Sequence, residues 1–114
     1  MAGLTRGDLV IIAFKGEYGS KPRPALVVQA DEFSDIASVT VLLLTSELRD
    51  QNFLRIDIAP TAANRLREPS QIMIDKCVTV PRHGRYVDAT IGRVDEASLR
   101  AVSFALARFF GLAA

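Results

Sequence analysis

Tryptophan is absent from the 114 residues, and cysteine and histidine occur once each, as Cys77 and His83. A single thiol forms no internal disulfide, so the fold does not depend on an oxidising compartment. One Cys and one His, separated by a stretch that includes Pro81 and Arg82, supply no zinc site, and the aspartates do not fall at calcium-loop spacing. No metal and no cofactor is therefore expected. Gly16-Glu17-Tyr18-Gly19-Ser20-Lys21 is no phosphate loop, because its first glycine lies too close to its lysine. A Ser/His/Asp hydrolase would need His83 as its base, and no serine stands in a nucleophile-elbow pattern. No apolar run approaches the roughly 18 residues that span a bilayer. Met1 to Asp8 also lacks the apolar segment of a secretion signal. The expectation is a cytoplasmic protein without a membrane segment.

What is present is an ordinary globular composition, 49% hydrophobic and 24% charged, which excludes disorder and suits one domain over residues 1–114. The net charge of +1 hides an asymmetry of type: eleven of the 14 basic residues are arginine. The guanidinium fork pairs two-to-two with phosphate oxygens and stacks on bases, which leans towards a nucleic-acid partner. A GC-rich coding sequence gives the same bias, so composition alone does not decide.

Short β-rich runs fill most of the chain. Leu9 to Phe14 is β-branched and apolar, a strand buried on both faces. Ala25 to Gln29 and Ser38 to Leu44 follow. Residues 53 to 58 alternate, with Leu54, Ile56 and Ile58 facing in and Arg55 and Asp57 facing out. Gln71 to Asp75, continued in extended form from Val78 to Val80, and Tyr86 to Ile91 complete the set, and Ala59 to Pro69 reads as a surface connection. The period then changes. Asp95 is a good N-cap, Leu99, Val102, Leu106 and Phe109 recur at helical spacing, and Gly111 sits where a C-cap glycine belongs. The fold class is mainly β with one C-terminal helix, a curled antiparallel sheet or small barrel. The first strand has no polar face, which makes a homodimer the economical way to cover it.

Lys21-Pro22-Arg23-Pro24 places one guanidinium between two prolines at the mouth of the second strand. Proline fixes its own φ and restricts the residue before it, so this arginine is held stiffly. Thr45-Ser46 leaves the third strand and Asp75 ends the fifth. These three positions gather if strand mouths share a rim. Each also has a plainer reading: Arg23 protects an edge strand from mispairing, Thr45-Ser46 caps a turn, and Asp75 with Lys76 forms a solvated ion pair.

Arg6-Gly7-Asp8, Arg23-Pro24-Ala25-Leu26-Val27-Val28-Gln29, Leu43-Leu44-Thr45-Ser46, the segment Pro69 to Thr79 and the final helix resemble, in order, the pattern of the MazF/PemK (Kid) toxin family. The resemblance implies an SH3-like small β-barrel, shared with the CcdB toxins, that works as a homodimer. It implies a sequence-specific, metal-independent endoribonuclease for single-stranded RNA, an mRNA interferase paired with a MazE-like antitoxin. On that pattern Arg23 and Thr45 fall on the family's catalytic arginine and threonine, and Asp75 on an acidic residue assigned to proton transfer. Lys21, Ser46, Lys76 and Arg82 are the accompanying RNA-binding candidates. Arginine is not a base at neutral pH, so Arg23 would clamp the phosphate. The chain departs from the pattern in a short loop from Lys15 to Lys21, in lacking the first-strand tryptophan, and in the apolar Met73 and Val78. Two other functions stay open at this point: a CcdB-like gyrase-binding toxin, disfavoured by a C-terminal tail without tryptophan, and a non-catalytic SH3-like binding module.

Overall fold

Residues 4–13, 22–50, 53–82 and 86–112 are described by the computed structural model. Six strands form one antiparallel sheet: β1 (Asp8–Ile12), β2 (Arg23–Val27), β3 (Ser38–Thr45), β4 (Arg55–Ile58), β5 (Ser70–Pro81) and β6 (Val87–Arg93). They lie in the order β4-β5-β3-β2-β1-β6, and one helix, α1 (Glu96–Phe109), follows. No pairing joins β4 to β6 among the described residues, so the expected barrel is a curled half-barrel.

The two-residue period of the strands divides the apolar side chains between two cores. One face carries Val10, Ile12, Val27, Val41, Leu43 and Val87. The other carries Leu9, Leu26, Leu42, Ile72 and Ile74 and is covered by Val102 and Ala105 of α1. Leu9, Val10 and Ile12 are fully buried, as the all-apolar first strand requires. Ile11 stays half-exposed. Phe14 and the loop from Lys15 to Lys21 lie outside the described residues.

The turn before β1 is built around a charge. Asp8 is buried, accepts from Thr5 N at 2.8 Å and pairs with Arg93 of β6. Arg93 also donates to Thr5 Oγ1 at 2.8 Å and to the Arg6 carbonyl at 3.0 Å. Gly7 has φ +98, and a Cβ there would stand 3.0 Å from Arg93 Nη2, so the turn needs glycine. The Arg6-Gly7-Asp8 motif is thus a clasp between the two chain regions that flank the sheet.

Two expectations need correction. The strand expected to end at Asp75 runs on through the extended stretch Val78–Val80 as one twelve-residue strand, β5. Leu42 pairs with Cys77 and Leu44 with Ile72, so residues 73–76 bulge opposite Leu43 alone. Asp75 therefore sits on a bulge rather than at a strand end. Phe109, expected in the helical core stripe, is 44% exposed; Ala105 is buried instead. The helix is otherwise as read, with the Asp95 carboxylate accepting from Ser98 N at 3.4 Å and Gly111 at φ +73. No helix among the described residues is long and apolar enough to cross a membrane.

Candidate functional site

The antiparallel register brings distant residues into one row. Ala25 faces Leu43 and Val27 faces Val41, and the same alignment carried two residues further sets Arg23 opposite Thr45. Thr45 in turn pairs with Gln71, and Gln71 with Asp57. Ile12 flanks Arg23 from β1. Directly opposed residues share a face. Thr45, Gln71 and Asp57 therefore form a paired polar row across three strands, at the end of a face that is otherwise apolar, and the β2–β3 register carried on extends this row to Arg23.

Arg23 lies within β2 itself, with Pro22 exposed before it and Pro24 half-buried after it. Its Nε is enclosed and has no hydrogen-bond partner. The enclosed Nε is out of reach of an incoming anion, so an anion would be met by the terminal nitrogens of this half-exposed side chain. Thr45 Oγ1 accepts from Glu47 N at 3.0 Å, the local turn expected of a threonine at a strand exit. Ser46 is exposed beside it. Thr45 and Ser46 also line a cavity of about 590 Å³ whose walls include Pro24, Leu66, Arg65 and Arg67.

Arg65 and Arg67 were not legible as site residues in the sequence. Their loop is fixed by Asn64, which is buried: Oδ1 accepts from Thr61 N at 2.9 Å and Leu66 N at 3.0 Å, and Nδ2 donates to the Ala59 carbonyl at 2.9 Å. Arg65 takes the left-handed conformation at φ +55. The loop presses on β6 at Gly92, where a Cβ would stand 2.4 Å from the Ala63 carbonyl.

Gln71 and Arg55 were missed as well. Gln71 is 2% exposed and uses its whole amide. Oε1 accepts from Arg55 Nη1 at 2.8 Å and Arg49 N at 3.2 Å, while Nε2 donates to the Arg49 carbonyl at 3.0 Å and Asp57 Oδ1 at 2.8 Å. It ties the segment leaving Thr45-Ser46 to β4. Arg55 is not the outward residue that alternation suggested. It is half-buried on the face of the polar row.

The remaining candidates are scattered. Asp75 and Lys76 are exposed on the β5 bulge and pair with each other at 3.8 Å. Arg82 donates to the Ile36 carbonyl at 3.1 Å and the Ser38 carbonyl at 3.0 Å. Ser38 begins β3 and Thr45 ends it, so Arg82 lies on the order of 20 Å from the polar row. Lys21 and His83 lie outside the described residues. No group of three or more His, Cys, Asp or Glu suited to a metal occurs among the described residues. Cys77 lines a separate cavity under α1, and burial pushes its thiol up from the usual range.

Residues 5–110 match the PemK-like, MazF-like toxins of type II toxin–antitoxin systems. The chain belongs to that family. This MazF-like toxin is 42% identical over 110 residues to a protein of Mycolicibacterium smegmatis named a probable endoribonuclease MazF, a match covering 96% of this chain and 99% of the relative. It is accordingly an endoribonuclease toxin, and neither the gyrase-binding nor the adaptor function is favoured. Solved structures bear out the fold. The Mycobacterium tuberculosis toxin MazF-mt6 superposes with TM-score 0.76 at 22% identity, covering 94% of this chain and 99% of that one. An endoribonuclease in complex with its cognate antitoxin, from a mycobacterial species, gives TM-score 0.79 at 20% identity over 98% and 99%.

Proposed function

We propose that this MazF-like toxin cleaves single-stranded RNA in a sequence-specific way without a metal, using the polar row as its reaction site. The observation that supports this reading is the β2–β3 register, which pairs Ala25 with Leu43 and, continued towards the strand ends, directs Arg23 towards Thr45. RNA brings its own nucleophile. The 2′-oxygen attacks the adjacent phosphorus, its proton passes to a base, and the 5′-oxygen of the next nucleotide leaves with a proton from water. The products are a 2′,3′-cyclic phosphate and a 5′-hydroxyl. Arg23 clamps the phosphate oxygens as charge grows on them, and Thr45 adds a hydroxyl contact. The strand and the two prolines hold the clamp in place, so little freedom is lost when the transition state forms. DNA, without the 2′-hydroxyl, binds uncut.

Asp75 is the proposed proton acceptor; it is exposed on a bulge beside Leu43, where a bound strand would compete with Lys76 for its carboxylate. Lys76 and Ser46 are exposed and available to the RNA backbone, whereas Arg82 is engaged with the carbonyls of Ile36 and Ser38 and adds nothing to this reading. A MazE-like antitoxin partner is supported by the mycobacterial relative bound to its cognate antitoxin. A homodimer is supported by the half-exposed Ile11 and the apolar cavity wall beside it. A cytoplasmic home follows from the RNA substrate.

The test is incubation of the purified protein with long RNA in excess EDTA, followed by mapping of the cut ends. Cleavage in EDTA with a terminal 2′,3′-cyclic phosphate is expected. RNA left intact at high enzyme excess would remove the proposal.

A further inference from the structure

Arg55 stands on the same face as Thr45, opposite Met73 on β5, and among the described residues its guanidinium is gripped by neutral groups alone. Nη1 donates to Gln71 Oε1 at 2.8 Å and to the Glu47 carbonyl at 3.1 Å. Among the described residues Nη2 meets only the Met73 thioether, at 3.9 Å, a weak acceptor. The nearby carboxylates are engaged elsewhere: Glu47 reaches Arg49 at 3.5 Å, and Asp57 accepts from Gln71. Among the described residues no carboxylate lies in ion-pair range of Arg55. A half-buried cation with neutral partners keeps its field, and the low-dielectric surroundings strengthen that field towards an incoming anion.

Its place relative to the reaction site is set by one residue. Glu47 donates its backbone N–H to Thr45 Oγ1 at 3.0 Å and offers its carbonyl to Arg55 Nη1 at 3.1 Å. A single residue spans the two groups, so the guanidinium lies within about 10 Å of the threonine hydroxyl. Gln71, buried and bonded on all sides, fixes the direction in which Arg55 points. Nε and the remaining Nη2 hydrogen are left for a ligand.

We infer that Arg55 is a second substrate-binding cation, which holds an RNA phosphate next to the one clamped by Arg23, with Gln71 as its positioning residue. The inference rests on the proposed use of the polar row. A strand crossing the row meets Arg23 and Arg55 on either side of Thr45, which fixes its direction across the site. Arg55 carries binding more than chemistry, because it contacts a phosphate that does not react.

The experiment measures binding of a fluorescein-labelled, 2′-O-methylated RNA oligonucleotide that spans a mapped cleavage site. It is run across a series of salt concentrations on the wild type and on Arg55→Met, Arg55→Lys and Arg23→Ala. One lost phosphate contact lowers the slope of log affinity against log salt by about 0.7 for single strands. Arg55→Met should lose that increment and weaken binding about tenfold at low salt, while Arg55→Lys keeps the slope and loses part of the affinity. A merely structural role lowers thermal stability and leaves the slope unchanged. If Arg55→Met fails to fold, Arg55→Gln, which retains donors for Glu47 and Gln71, should show the same loss of slope. Wild-type affinity and slope in the variant that folds would overturn the inference. Should that occur while Arg23→Ala is inactive on ordinary RNA, only the role of Arg55 fails. Should Arg23→Ala cut RNA at the wild-type rate, the reading of the polar row fails with it.

Discussion

Thr45 and Gln71 face each other across β3 and β5, one at the exposed exit of its strand and the other almost wholly enclosed. The pairing couples a residue proposed for chemistry to one that can only be structural. Gln71 holds both backbone groups of Arg49, and the chain between Thr45 and Arg49 has to follow. The position of the Thr45 hydroxyl thus depends on an amide buried one strand away.

Gln71→Ala therefore leaves the Arg49 backbone and the Arg55 guanidinium short of partners in a half-buried place. A loss of about 1–3 kcal/mol in unfolding free energy is expected from urea titration. RNA cleavage should fall more steeply than stability does, because the Thr45 turn loosens in the folded protein. Activity retained in full at a temperature where the variant is folded would contradict that coupling.

Arg23→Ala should lower the rate of RNA cleavage by on the order of 10²–10³, the effect of removing one preorganised donor. Its guanidinium Nε has no protein partner, so urea midpoints should stay close to wild type. Arg23→Lys should restore only a fraction of the rate, since a single ammonium does not reproduce the two-pronged clamp. Single-turnover kinetics on a defined oligonucleotide measure both.

Arg93→Ala should be costly although it lies far from the polar row in function. It leaves the buried Asp8 carboxylate without its cation and cuts the links to Thr5 and Arg6. Because the Arg93 side chain is half exposed, the expected cost is about 1–3 kcal/mol, that of a buried carboxylate left short of partners. Denaturant unfolding of Arg93→Ala and of Asp8→Asn checks it, with the smaller loss expected for Asp8→Asn, which removes the buried charge along with the pair.

The pH dependence of helix α1 follows from its cap. The hydrogen bond from Ser98 holds the Asp95 carboxyl below its ordinary value of 3.8. A carboxyl with a lowered folded pKa contributes stability that is fully present above the unfolded value and lost as pH falls through the folded one. Thermal unfolding followed from pH 6 down to pH 2.5 should show a step in the wild type that is smaller in Asp95→Asn. Parallel curves would show that the cap titrates without consequence.

Alternation along 53–58 correctly put Ile56 and Ile58 on the covered helix face, yet it misplaced Arg55. Period-two patterning tells which side chains share a face and says nothing of what covers the opposite one. Here the opposite face is partly packed, so Arg55 is half-buried against Gln71, while Asp57 also meets Gln71 but stays exposed. The fifth strand reads from the sequence as ending at Asp75 for a related reason. A bulge interrupts the pattern while the ladder continues on either side of it. Arg65 and Arg67 looked like ordinary surface arginines, because nothing in a polar loop marks the buried Asn64 that aims them.

Local physics written in the chain was sufficient for the strands, the capped helix, the stiff arginine between prolines and the family to which the pattern belongs. Backbone preference and side-chain period act over a few residues and can be read from neighbours in sequence. Which arginines keep free donors was decided only by the folded sheet. Antiparallel register aligns residues tens of positions apart, and each guanidinium's partners depend on what arrives opposite it: Arg93 meets a carboxylate, whereas Arg23, Arg55 and Arg82 meet none among the described residues.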